Sequence, residues 1–369
     1  MDLQIKSIVA KAMREAKKEK KKATVVQGDE ELISLLEKSK ARIAVLGVGG
    51  AGGNTVNRIT EIGIHGAETF AINTDAQDLL ATESDRKLLI GKQLTKGLGA
   101  GSDPSIGEAA ARESEKELAS ALKGYDLVFI TCGLGGGTGT GAAPFIAQIA
   151  KELKCLTAAI VTLPFTVEGR RRVENALYGL ENLQESADTI IVIPNDKILE
   201  IAPDLPINAA FKVADEVLAN AVKGITEMIT KPGLINLDFA DLKAILSKGG
   251  AAMIGLGESQ SEQASEARAL EAVENALTSP LLDVDITGAS RALINVIGGT
   301  DMTIREAELI VEAVGSRIAP DAHIIWGAMV DENLPRNQIQ AMVVVAGGKI
   351  PYGKNARKEL LDLGIEFTE

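Results

Sequence analysis

Aromatic side chains are scarce in this chain, at 3% of 369 residues, so its core has to be built from Ile, Leu, Val and Ala within a composition that is 46% apolar. Cysteine is nearly missing. Cys132 and Cys155 lie in apolar stretches, outside any CxxC pair and with no His nearby. That excludes a disulfide scaffold and fits two buried thiols in a reducing compartment. His65 and His323 stand alone, which excludes a His-rich metal site. Positive charge falls short of negative, 39 Lys and Arg against 51 Asp and Glu, for a formal net charge of -12. A surface this acidic argues against nucleic acid as the main ligand. No apolar run approaches the ~20 residues of a transmembrane segment. The opening residues do not make a signal peptide either, being interrupted by Lys6 and Lys11 and followed by a lysine cluster. The expectation is a soluble, cytoplasmic protein.

The length exceeds what one hydrophobic core usually spans and implies two domains. Residues 1–22 carry eight Lys or Arg against three Asp or Glu, with apolar residues at helical spacing, and read as a basic helical extension over 1–38. Its readings are a solvated extension, a contact with anionic lipid, or a contact with a partner protein. From residue 42, apolar strands alternate with helices: strands at 42–46, 68–73, 127–132, 156–162 and 189–193, and helices at 54–62, 106–122, 142–153 and from about 168. Continuously apolar strands in that alternation predict a parallel sheet covered on both faces. A wide apolar stripe then runs from Ile207 to Thr230 and stops at Pro232-Gly233. It predicts a long helix joining the domains. The rest mixes strands and helices. The expected division is a nucleotide-binding domain over 39–206, a central helix and linker over 207–235, an α+β domain over 236–350 and a short tail over 351–369.

Two glycine loops carry the chemistry. Gly47-Val48-Gly49-Gly50-Ala51-Gly52-Gly53 follows a strand, opens a helix and satisfies GxGxxG, with Asp75 after the next strand. Taken alone, it is the dinucleotide fingerprint of an NAD-dependent oxidoreductase. The second loop, Gly135-Gly136-Gly137-Thr138-Gly139-Thr140-Gly141, holds five glycines and two threonines in seven residues. Such a run is entropically too expensive for a plain turn. It can offer backbone N–H groups and two hydroxyls to one oligophosphate, without the lysine of a Walker loop. Two such loops on neighbouring strands point to one nucleoside triphosphate held from two sides. A third loop, Thr95–Gly101, is long enough to fold over the terminal phosphate.

The run GGGTGTG at 135–141 resembles the signature of the tubulin/FtsZ superfamily. GVGGAGGN at 47–54, NTDAQ at 73–77, TKGLGAG at 95–101, PFTVEGRRR at 164–172, IPNDK at 193–197 and NLDFAD at 236–241 resemble FtsZ rather than tubulin. The resemblance covers about 40–350. It implies the tubulin/FtsZ fold: a Rossmann-like α/β GTPase domain, a long central helix and a smaller α+β domain. It implies GTP and GDP as ligands, with Mg²⁺ bound through phosphates and water. Gly50, Ala51, Gly52, Gly53 and Asn54, with Gly137, Thr138 and Gly139, would hold phosphates and sugar. Glu168 and Arg172, four apart on one helix face, would contact ribose and base. Phe211 would stack near guanine, Asp215 would bond its edge, and Asn195 would line the pocket. Asn236, Asp238 and Asp241 would form the loop that activates water. Read without the resemblance, two Asp three apart at a helix start are capping residues.

From about residue 213 to 230 a helix rises roughly 25 Å, so the Asp238–Asp241 loop is expected to serve a neighbour's nucleotide. That predicts a GTPase that stacks head-to-tail into filaments and hydrolyses at shared sites. The role implied is cell division, concentrated at mid-cell, with division-ring proteins and a membrane anchor as further partners. A scaffold that binds GTP with negligible turnover is the alternative. The basic N-terminal segment and an end at Glu369, soon after the second domain, resemble the archaeal type. They leave the usual anchoring route of the bacterial proteins unexplained.

Overall fold

The computed structural model describes residues 41–347, except 202–203, 205, 232, 236, 248, 260–265 and 283–284. The expected basic extension and C-terminal tail lie outside these residues. The chain opens with β1 (Ile43–Val48), α1 (Gly49–Ile62), β2 (Ala67–Asn73), α2 (Ala76–Ala81) and β3 (Arg86–Leu89). Then come α3 (Pro104–Glu113), α4 (Glu115–Leu122), β4 (Leu127–Gly133), α5 (Thr138–Glu152), β5 (Leu156–Leu163), α6 (Arg170–Ser186), β6 (Thr189–Pro194) and α7 (Asn195–Ile201). The long α8 spans Ile207–Thr230 and leads to α9 (Phe239–Leu246), β7 (Gly250–Glu258), α10 (Glu266–Leu277), β8 (Arg291–Gly298), α11 (Ile304–Gly315), β9 (His323–Val330) and β10 (Ile339–Ala346).

All ten strands form one sheet in the order β3-β2-β1-β4-β5-β6-β7-β10-β8-β9. Pairing is parallel from β3 through β6, and three residue pairs carry it into β7, Thr189 facing Gly250 through Ile191 facing Ala252. Beyond that, β10 is antiparallel to both β7 and β8, and β9 is parallel to β8. Side chains alternate across the sheet. On β1, Ala44, Leu46 and Val48 join one core with residues of α3 to α6, while Ile43 and Val45 join a second with α8 and α9.

The helix α8 lies on that second face because its apolar stripe is wide. Leu218, Ala221, Val222 and Ile225 are at most 1% exposed. Each such Leu, Val or Ile contributes roughly 1.5–3 kcal/mol by burial. Polar ties fix its position against α1: Arg58 pairs with Glu216, and Lys223 Nζ donates to the Ile62 carbonyl at 3.0 Å. On the other side the Asn295 amide donates to the Gly224 carbonyl at 3.3 Å.

Several boundaries depart from the sequence reading. Helices α1 and α5 begin at Gly49 and Thr138, inside the glycine loops rather than after them. The single helix expected over 106–122 is two, broken at Ser114, whose Oγ accepts from the Gly91 N–H at 3.0 Å. The short helices α2 and α7 and the edge strand β3 are additional.

Candidate nucleotide-binding and catalytic site

The end of β1 and the start of α1 leave no room for side chains. A Cβ on Gly47 would lie 2.3 Å from the Gly52 carbonyl oxygen, and one on Gly52 would lie 2.5 Å from the Thr131 carbonyl oxygen of β4. Gly49 has φ +74°, and a Cβ there would meet the Gly139 nitrogen at 2.9 Å. The two glycine loops therefore touch backbone to backbone, which only glycine permits. Most of these glycines are packing positions. Gly136 differs: nothing lies within 4 Å of its added Cβ.

Both loop helices start without a side-chain cap, and neither has an acidic residue in its first turn. Their first N–H groups have no side-chain acceptor, and the helix dipole adds positive potential there. Such ends are anion sites. By contrast, α2, α3, α9 and α11 are capped by Asp75, Asp103, Asp238 and Thr303.

A cleft of about 260 Å³ opens between these two helix starts. Of the residues expected to bind nucleotide, it is lined by Gly50, Ala51, Gly137, Thr138 and Gly139, and by Glu168, Arg172, Asn195, Phe211 and Asp215. Gly52 and Gly53 are buried beneath it, and Asn54 is exposed on α1 away from the lining. The two expected threonine hydroxyls are engaged within the protein. Thr138 Oγ1 bonds Thr74 Oγ1 at 2.7 Å, and Thr140 Oγ1, fully buried, accepts from the Gly135 N–H at 2.8 Å. Thr140 thus shapes the loop from behind.

Glu168 and Arg172 do not share one helix face. Glu168 ends a 3₁₀ turn, Thr166–Glu168, and Gly169 at φ +101° separates it from α6. The pair still forms, with Arg172 Nη1 donating to Glu168 Oε2. Glu168 also accepts from the Phe165 N–H at 2.8 Å, so its carboxylate is held at the rim. Phe211, 37% exposed, stands edge-on against the buried Phe165 with ring centroids 5.1 Å apart. One face of a solvent-facing aromatic is thereby fixed at the cleft. Asn195, 5% exposed, has an Oδ1 with no hydrogen-bond partner among the described residues. A buried amide oxygen in a cleft without a donor is a place for a ligand. Burial pushes the Asp215 carboxyl up to about 7, partly offset by the Thr55 hydroxyl.

The acidic loop lies elsewhere. Asp238 caps α9, its Oδ1 accepting from the Asp241 N–H at 2.8 Å, and Asp241 Oδ2 accepts in return from the Asp238 N–H at 3.4 Å. The cap uses one oxygen of each carboxylate. The preceding segment is stitched to β9, the Leu234 N–H donating to the Ala328 carbonyl at 2.8 Å. Neither Asp lines the cleft, and Asn236 lies outside the described residues. Helix α8, 24 residues and so ~36 Å long, runs between the two places. Cys132 is an inert thiol, burial pushing it up to about 12.

Sequence reading missed Gly49, Gly136 and the Thr74 hydroxyl beneath Thr138. The GxGxxG spacing already contained Gly49, GGGTGTG contained Gly136 and NTDAQ contained Thr74; nothing local marks Thr138 as the partner of the Thr74 hydroxyl.

Residues 42–203 match the tubulin/FtsZ family GTPase domain, and residues 250–349 match the FtsZ family C-terminal domain. The cell division protein FtsZ 1 of Thermococcus kodakarensis is 60% identical over 338 residues, covering 92% of this chain and 89% of that protein. The FtsZ 1 of Archaeoglobus fulgidus is 53% identical over 370 residues, covering 99% of each. Among solved structures, an empty FtsZ dimer from M. jannaschii superposes with a TM-score of 0.83 at 57% identity, covering 88% of this chain and 93% of that one. CetZ1 from Haloferax volcanii, at 22% identity and a TM-score of 0.75, shares the fold. The GxGxxG run is thus a GTPase loop and not a dinucleotide fingerprint, and the chain belongs to the FtsZ family of tubulin-like GTPases.

Proposed function

We propose that this protein binds GTP in the cleft between α1 and α5, stacks head-to-tail, and hydrolyses GTP at sites completed by the Asp238–Asp241 loop of the next subunit. The observation that carries this reading is the separation of the two halves by the length of α8. Uncapped helix ends and an Asn195 amide oxygen with no hydrogen-bond donor among the described residues are at one end, and two carboxylates are at the other. Neither half is a hydrolytic site alone.

Phosphates would sit on the first N–H groups of α1 and α5, guanine beside Phe211 and Asp215, and ribose near Glu168 and Arg172. Guanine offers N1–H and a 2-amino group on one edge, and a carboxylate takes both. Adenine has an unprotonated N1 there, which leaves Asp215 facing an acceptor at a cost of roughly 1–3 kcal/mol. Mg²⁺ supplies charge neutralisation for the phosphates when bound. Asp78, whose Oδ2 lies 3.2 Å from where a Cβ on Gly50 would be and accepts from the Asn73 amide at 2.7 Å, is a hard oxygen donor of the kind Mg²⁺ takes through water.

In hydrolysis a water oriented by Asp238 and Asp241 attacks the γ-phosphorus in line. The bond to the β–γ bridging oxygen breaks, a carboxylate accepts the water's proton, and GDP and phosphate result. The division into a nucleotide half over 39–206, a connector over 207–235 and a second half over 236–350 belongs to this reading. So do the cytoplasmic location and assembly at the division site. Among the described residues no helix is long and apolar enough to cross a membrane. Phosphate release per molecule, measured against protein concentration, tests the shared site. It rises with concentration, so that total release climbs more steeply than linearly, if neighbours complete the site, and turnover per molecule independent of concentration refutes it. Electron microscopy with GTP, GDP and no nucleotide checks the filament directly.

A further inference from the structure

Asn175 lies on α6, one turn beyond Arg172, and belongs to none of the motifs that mark the cleft. Its Nδ2 donates to carbonyls in two different loops, to Ser102 at 3.2 Å and to Gly135 at 3.3 Å. Each bond does something specific.

Ser102 closes the third glycine loop. In that loop Lys96, Gly97, Gly99, Gly101 and Ser102 all have positive φ, between 53° and 84°. Non-glycine residues held there are strained and persist only where their surroundings impose the conformation. At its near end the loop is held by backbone bonds, Ala76 N–H to the Gly97 carbonyl at 3.0 Å and Gly99 N–H to the Thr74 carbonyl at 3.2 Å. At its far end the Ser102 carbonyl is held by the Asn175 side chain. The loop also lies directly on the second glycine loop: a Cβ on Gly137 would be 2.8 Å from the Ala100 Cβ and 2.9 Å from the Asp103 nitrogen.

The second bond sets a peptide orientation. In a trans peptide the C=O and the following N–H point to opposite sides. Gly135 is turned toward α6, at φ +107°, with its carbonyl on Asn175. The Gly136 N–H is therefore directed the other way, and Gly136 lines the cleft while Gly135 does not.

We propose that Asn175 is a positioning residue that latches the third glycine loop to the second, and at the same time aims the Gly136 N–H at the nucleotide phosphates. One side-chain amide thus couples closure of the outer loop to the shape of the phosphate-binding loop. The inference rests on the reading of the cleft as a GTP pocket and adds to it a residue that acts only on the phosphate half of the ligand.

The full-length protein tests it in two variants. Asn175→Ala removes both donors on a half-exposed helix position that tolerates Ala. Asn175→Asp keeps the size but sets carboxylate oxygens against two carbonyls. Both are read by calorimetric affinity for GTP and for guanosine, by melting temperature, and by the rate of tryptic cleavage after the exposed Lys96. Loss of two neutral hydrogen bonds predicts GTP binding about tenfold weaker and Lys96 cleavage about tenfold faster in Asn175→Ala. Both changes should be larger in Asn175→Asp, with guanosine affinity unchanged and the melting temperature lowered by no more than about a few degrees. GTP affinity and cleavage rate within about twofold of wild type in both variants overturn the latch. A parallel fall in guanosine affinity overturns it too, because it marks a general structural role. A wild-type protein that binds guanosine as tightly as GTP overturns the phosphate reading of the cleft itself, whatever happens at Lys96.

Discussion

The helix starts at the two ends of α8 differ in how their first turn is satisfied. Helices α1 and α5 have no side-chain cap and no acid, so their N–H groups are left for an outside anion. Helix α9 closes its own first turn with Asp238 and Asp241. One end is unfinished until a ligand arrives. The other is finished, and its acidic groups serve local structure first. On the proposed reading, carboxylates that double as a helix cap are rigid before any partner docks, which favours a positioned water over a mobile one.

The largest expected effect follows from removing charge without removing the cap. Asp238→Ala conflates the two, since losing the cap alone costs about 1 kcal/mol. Asp238→Ser keeps a good capping oxygen and deletes the carboxylate. If the carboxylate orients water in a neighbour's site, Asp238→Ser melts like wild type and binds GTP normally. Its turnover falls by about 10²-fold or more. Thr138→Arg, which fills the cleft, abolishes binding instead. Mixing the two inactive proteins restores part of the activity wherever a sound pocket meets a sound acidic loop. Co-pelleting confirms that they assemble. A co-assembled mixture that stays inactive breaks the comparison, because the acidic loop would then not serve the next subunit.

The second prediction separates Gly141, which packs, from Gly136 of the same loop, which faces open space. A Cβ on Gly141 would lie 1.9 Å from the Pro104 carbonyl oxygen. Gly141→Ala should cost about 1–3 kcal/mol of stability or more, seen as a lower melting temperature. Gly136→Ala has no such neighbour and a φ outside the left-handed region, so it should fold like wild type while GTP affinity falls by about tenfold. If both variants lose stability equally, the glycine-rich sequence is a folding requirement and carries no evidence about phosphate.

These positions also show what was legible in the sequence. The parallel half, the length of α8 and the gathering of both glycine loops into one cleft all followed from apolar periodicity and glycine spacing. Helix starts did not. Glycine is a poor helix former, so α1 and α5 were expected after their glycines, whereas backbone contacts between the loops hold those glycines helical from the first turn. The strand β3 escaped because it is four residues long, at an edge, with Arg86 and Lys87 exposed. The helix α7 was obscured by Pro194 immediately before it. The Glu168–Arg172 pairing was legible, but the break at Gly169 was not, since i,i+4 spacing reads the same whether or not a glycine interrupts it. The contacts of Thr74 and Asn175 were invisible for a different reason: they span 64 residues for Thr74 and 73 and 40 residues for Asn175, and no local pattern, NTDAQ included, encodes such a partner.

The smallest expected effect is a pH dependence confined to the nucleotide end. Burial raises the Asp215 carboxyl to about 7, above the usual carboxylate range near 4. A group with a raised folded value favours the protonated state, so in the free protein its contribution to stability is complete below pH ~4 and is lost as pH rises toward 7. Guanine reverses the preference, because its N1–H and 2-amino donors need an ionised acceptor. Binding GTP below pH 7 therefore expels a proton, and affinity climbs as the free carboxyl ionises. With a value near 7 the ionised fraction grows about tenfold between pH 6 and pH 8, which bounds the change in affinity at about tenfold, or ~1.4 kcal/mol. Calorimetry in two buffers of different ionisation enthalpy should show close to one proton released at pH 6 and almost none at pH 8. Asp215→Asn should flatten the profile and narrow the preference for GTP over ATP. Neither Asp238 nor Asp241 lines the cleft of its own chain, so Asp238→Ser should keep the full pH dependence of binding while lacking turnover. A wild-type affinity that is flat across this range, with GTP still preferred over ATP, would mean that the edge of guanine is read by some group other than Asp215.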